Sequence, residues 1–213
     1  MQDDEEENVA ITYLVPHGDL RLVLNCSIKQ KKRTEGSDVP KVSQRTLVVS
    51  SAVMRIASPV WNRMFDPKCG FMEAYQSSAN QEVYLPDDNA EAMLLVLQIA
   101  HLLFKNVPQT LEFDQLLNVA ILCDKYDTVG LIRPWLPKWE GKLKPLAYAA
   151  GYEDYLFISW AFGDYYTYGG LARKLVHTSK SNAAGQLISP TRGLLEFKMP
   201  PCAVGQSKLP FLV

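Results

Sequence analysis

The residues of this chain whose types could carry chemistry are three histidines, four cysteines, the pair Ser50-Ser51 and the pair Asp87-Asp88. A serine nucleophile needs a general base and a sharp glycine-flanked turn. Ser50 and Ser51 lie in "VSSAVMRIASPVWNRMF", without a G-x-S-x-G frame, and read as helix caps. His101 stands inside the apolar run "AMLLVLQIAHLLF", where a packed, hydrogen-bonded imidazole is expected rather than a base or a metal ligand. Asp87 and Asp88 follow Pro86, and a turn leading into a helix accounts for both. "EGKLK" and "TYGGLA" lack the glycine-lysine spacing of a phosphate loop. Cys26, Cys69, Cys123 and Cys202 are too far apart for a zinc site built on close pairs or a disulfide framework, and read as separate thiols in a reducing compartment. No catalytic residue, cofactor or metal is expected, and the chain is not expected to be an enzyme.

The elements that must position these residues belong to an ordinary globular chain. Of its 213 residues 47% are hydrophobic and 21% charged, and a formal net charge of −1 gives no global attraction to nucleic acid or anionic membrane. The start, "MQDDEEENVA", is acidic where a signal peptide would be basic and then apolar, so residues 1–17 are expected to be a disordered lead. The longest apolar run contains Gln98 and His101 and is too short to span a bilayer, so an intracellular, soluble protein with no membrane partner is expected.

Alternation in "DLRLVLN" (19–25) and β-branched density in "RTLVV" (45–49) predict two strands, joined by the polar, basic segment 29–41. Ser50 or Ser51 caps a short helix carrying Val53, Met54, Ile56 and Ala57. Ser58-Pro59 then restarts the chain as N-cap and first helical residue. Val60, Trp61, Met64 and Phe65 form one apolar face, with Asn62 and Arg63 outward, and Trp61 and Phe65 are expected to pack inward. "EVYLPDD" (82–88) predicts a third strand ending at a proline turn. Helices are predicted over 90–104, with Ala92, Met93, Val96, Leu97 and Ala100 buried, and over 113–127, with Leu116, Leu117, Ala120, Ile121 and Tyr126 inward. Pro134 and Pro137 must segment 129–143. The stretches 152–164 and 168–180 read as helical, and no periodicity follows residue 181.

The order "GDLRLVL", "LVVSSAVMRIASPVWNRMF", "EVYLPDDNAEAMLLVLQIAH", "LLNVAILCDKYDTVGLIRPW" resembles the BTB/POZ domain, most closely the version found in a large family of fungal BTB proteins. The resemblance covers residues 18–143, and a weaker similarity of aromatic helices runs to about residue 178. It implies an α+β fold: a small mixed β-sheet flanked by a cluster of α-helices. A helical extension (144–180) and an irregular tail (181–213) would follow. It also implies a protein–protein interaction module that homodimerises, with Val53, Met54, Ile56 and Trp61 as candidate interface residues. Many members carry a His-Arg or His-Lys pair where this chain has Ser50-Ser51, and Asp19 matches the aspartate that lines a charged pocket beside that pair.

Two alternatives accompany this reading. In "FMEA" (71–74), Phe71 and Glu73 fit the apolar-x-Glu pattern by which BTB adaptors engage cullin ubiquitin ligases, which makes a cullin a candidate partner and the chain a candidate substrate adaptor. The basic 29–41 connection could instead mark a nuclear, nucleic-acid-associated protein, although a solvated hairpin tip explains it more simply. Cytoplasm, nucleus or both would suit these roles.

Overall fold

The computed structural model describes residues 10–27, 42–69, 81–178, 180–181, 187–189, 193–194 and 200. They fall into two compact units, one drawn from residues 1–107 and 125–132 and the other from 108–124 and 133–213. The first unit is built on a four-stranded mixed sheet of β1 (Ala10–Tyr13), β2 (Leu20–Ser27), β3 (Val42–Val49) and β4 (Gln81–Leu85), in the order β1-β3-β2-β4. β2 and β3 are antiparallel, whereas β1 joins β3 and β4 joins β2 in parallel.

The register sorts side chains to two faces with the period of two that a pleated strand imposes. Leu20, Leu22 and Leu24 lie opposite Val49, Leu47 and Arg45 on β3, and Leu22 and Leu24 lie opposite Val83 and Leu85 on β4. All of these apolar residues are buried. β1 corrects the expectation that residues 1–17 form a disordered lead. "AITY" pairs in parallel with β3 along one of its sides, Ala10 to Tyr13 opposite Arg45 to Val48. Gly18 is required where the chain turns into β2, because a Cβ there would lie 2.6 Å from Val48 Cγ1 and 2.7 Å from the Val49 carbonyl oxygen.

α1 (Ser51–Ala57) and α2 (Pro59–Met64) are split at Ser58, as the sequence predicts. Ser58 is extended (φ −146°, ψ 128°), its Oγ accepts from the Trp61 N–H at 3.0 Å, and Pro59 takes the first helical position. Asn89 caps α3 (Ala90–Ala100), which packs on β2, β3 and α1. α3 stops at residue 100 rather than 104. His101 closes it, Leu102 turns to φ 61°, and a 3-10 turn follows at Phe104–Asn106. Met54, Trp61, Met93 and Leu97, with Leu20, Leu22 and Leu24 of β2, are among the fully buried side chains of this unit.

α4 (Phe113–Tyr126) has a broader inward face than predicted. Leu116, Val119, Ala120, Leu122, Cys123 and Tyr126 are buried, whereas the expected Leu117 and Ile121 are half-buried. α5 (Val129–Ile132) and α6 (Leu136–Glu140) are the short pieces that Pro134 and Pro137 leave. α7 (Tyr155–Ala161) and α8 (Tyr165–Thr178) complete the helices of the second unit. There Phe113 meets Tyr152 edge-on at 4.8 Å and stacks near Tyr155 at 6.4 Å, and the Trp139 indole N–H donates to the Pro108 carbonyl at 2.9 Å. The tail expected to be irregular contains β5 (Lys180–Ser181), β6 (Leu187–Ser189) and β7 (Gly193–Leu194), a small antiparallel sheet. Strands of two or three residues are too short to leave an alternation in the sequence. Among the described residues the fold is α+β: eight α-helices with a four-stranded mixed sheet.

Candidate interaction surface

The polar residues singled out in the sequence converge on the start of α1. Ser50 Oγ caps the helix by accepting from the Val53 N–H at 3.5 Å. Ser51 donates twice to Asp19, from its N–H at 2.8 Å and from its Oγ at 2.5 Å. Burial pushes the Asp19 carboxyl up, but these hydrogen bonds prevail and hold it below the usual carboxylate range. On the other side the Ser50 N–H donates to His101 Nε2 at 3.1 Å, and His101 Nδ1 meets the Leu97 carbonyl at 2.8 Å. Since a carbonyl only accepts, Nδ1 carries the proton. Burial lowers the imidazole's proton affinity.

Serine, histidine and aspartate are therefore close together without forming a nucleophile and its base. The Ser51 hydroxyl is directed at a weakly basic carboxylate, and the imidazole is engaged by backbone at both nitrogens. The arrangement clasps the first turn of α1 between the turn before β2 and the end of α3.

Of the candidate interface residues, Met54 and Trp61 have no exposed surface, so they cannot contribute area to an interface; both belong to the core. Val53 is half-buried. Ile56, on the same short helix, is 89% exposed, the residue that keeps α1 a candidate surface. Phe71, Glu73 and the 29–41 connection lie outside the described residues.

The sheet adds residues that the sequence reading missed. On the face opposite the leucines, the register aligns Ile11, Thr46, Val23 and Tyr84 in one row across all four strands. Thr46 and Val23 are buried in the middle, while Ile11 and Tyr84 on the two edge strands are exposed, as is Tyr13 beside Val48. The β-branched run "VAITYLV" was the signal that could have located β1.

Asp88 does not cap α3; it crosses to the end of α4. Its buried carboxylate accepts from Tyr126 Oη at 2.5 Å and from Lys125 Nζ at 2.6 Å. The Ser58 hydroxyl donates to the Tyr126 carbonyl at 2.5 Å. The "LPDD", "ASPV" and "DKYD" segments are thus tied into one network that fixes α2 and, through it, the bearing of α1.

Among the described residues no group of histidine, cysteine, aspartate and glutamate could hold a metal ion, and no helix is long and apolar enough to cross a membrane. No family model matches the chain, and no curated protein matches it.

Proposed function

We propose that this chain is a protein–protein association module of the BTB/POZ type that forms a homodimer through α1 and the neighbouring edge of the sheet. The observation that carries the reading is Ile56. An isoleucine left 89% exposed on a seven-residue helix, beside a core that accepts Met54 completely, has an apolar surface that association would cover. The exposed Ile11 and Tyr13 on the edge strand β1 support it, because an edge strand offers both apolar side chains and unpaired backbone groups. A two-fold arrangement would place the same patch on both copies and close the assembly. From β2 onward the order of elements, with a strand pair, two short helices, a further strand and then helices, is in keeping with the sequence resemblance.

The test is light scattering on the full chain across a concentration series, comparing Ile56→Asp with Tyr84→Asp. Tyr84 lies on the opposite edge strand. The reading expects Ile56→Asp to shift the chain to monomer and Tyr84→Asp to leave it dimeric. A monomeric wild type, or loss of the dimer only with Tyr84→Asp, would overturn it.

A further inference from the structure

His101 is held in one tautomer by two backbone groups that belong to different elements. Its Nδ1–H donates to Leu97 in α3, and its Nε2 lone pair receives the N–H of Ser50, the residue that caps α1. Only the neutral ring can do both. We propose that His101 is an acid-released latch on the start of α1. A proton arriving from solvent at Nε2 would set one N–H against another, remove the acceptor of the Ser50 N–H, and free the first turn of α1 from the end of α3.

Among the described residues no carboxylate is bonded to the ring, so none replaces the lost contact. Among the described residues α3 packs chiefly on α1, α5, β2, β3 and the turn at Phe104–Asn106. Their charged side chains are Arg55, Arg21, Arg45 and Lys105, all cationic, and α5 contributes none. Arg55 is bonded to Asn62, and Arg45 to Glu91 of α3 itself. In the turn before β2, Asp19 is already engaged by Ser51, and His17 is exposed. Acting on the ring itself are burial first, which disfavours the imidazolium, and the Leu97 carbonyl second, which favours it. A protonated His101 therefore carries its charge in a half-buried place while losing a hydrogen bond.

Nuclear magnetic resonance on the full chain tests this. At neutral pH the ring nitrogens should report the Nδ1–H tautomer, and on acidification the Ser50 amide should titrate with the same midpoint as the His101 ring. Hydrogen-exchange protection of the Ser50, Val53 and Met54 amides should fall by about tenfold per pH unit between the free and held imidazole values. The amides of α8 serve as the internal control. His101→Gln, whose Oε1 takes the place of Nε2, should abolish that pH dependence. If the ring carries its proton on Nε2 at neutral pH, if the Ser50 amide ignores the ring's titration, or if His101→Gln loses protection as the wild type does, the latch is wrong. Should His101→Gln fail to fold, the wild-type titrations alone decide.

A consequence for assembly rests on the dimer reading, since α1 carries Ile56: the dimer should weaken over the same pH range. Amides that titrate in a chain that is monomeric throughout would leave the latch standing and remove the dimer.

Discussion

Trp61 is fully covered, and its ring meets that of Tyr126 at a centroid distance of 5.1 Å. Truncating it empties the centre of the first unit, so Trp61→Ala should cost about 3–5 kcal/mol, measured by urea unfolding. Its indole N–H has no hydrogen-bond partner among the described residues. Trp61→Phe therefore forfeits volume but no hydrogen bond, and should cost less than half as much. Asp88 is the polar counterpart. Asp88→Ala removes the carboxylate that accepts from the buried Tyr126 hydroxyl and should cost about 1–3 kcal/mol. Lys125 is half-exposed, so Lys125→Ala should cost about 1 kcal/mol or less. Equal losses at Asp88 and Lys125 would mean that the ion pair, rather than the buried hydrogen bond, holds the network. Trp61 was legible because Phe65 stands one helical turn away on the same apolar face of the sequence. Asp88 was legible only as a turn residue, since Lys125 and Tyr126 are distant in sequence and local pattern cannot specify what a side chain meets across the fold.

At the scale of elements, the start of α8 and the turn into β2 make separate predictions. Asp164 accepts from the Thr167 N–H at 3.1 Å and from its hydroxyl at 2.6 Å, and Lys144 pairs with it at 2.6 Å. Burial pushes the Asp164 carboxyl up, but the hydrogen bonds from Lys144 and Thr167 outweigh it and leave the group more acidic than usual. Its folded proton affinity is thus below the unfolded value of 3.8. Its contribution is present above that pH and lost as the pH falls through the lower, folded value. Asp164→Ala should cost about 1 kcal/mol at neutral pH, the worth of a helix cap, and the difference from wild type should vanish in strong acid. Thermal melts of both proteins from neutral to acid pH would show this; a constant offset would contradict it. Gly18→Ala should destabilise by about 1–3 kcal/mol, because its Cβ meets backbone that cannot move aside. The helix starts were readable at Ser50 and Ser58, where side-chain chemistry is local. β1 and the early end of α3 were not, because the one depends on β3 to pair with and the other on the conformation of Leu102, a residue with no intrinsic preference for it.

For the molecule as a whole, the proposed function is association of two copies through α1. The class of the fold could be read from the sequence because alternation and helical spacing record which faces are buried. The candidate surface was readable only in part: Val53, Met54, Ile56 and Trp61 share a segment, and periodicity could not tell which the core had already consumed. Sedimentation equilibrium of the full chain at tens of micromolar and neutral pH, a range in which standard-size interfaces associate, is the most direct measurement. The expected mass is twice the 24.0 kDa of one chain, falling to a single chain with Ile56→Asp while the circular dichroism spectrum is unchanged. A wild type that sediments as one chain throughout that range would contradict it.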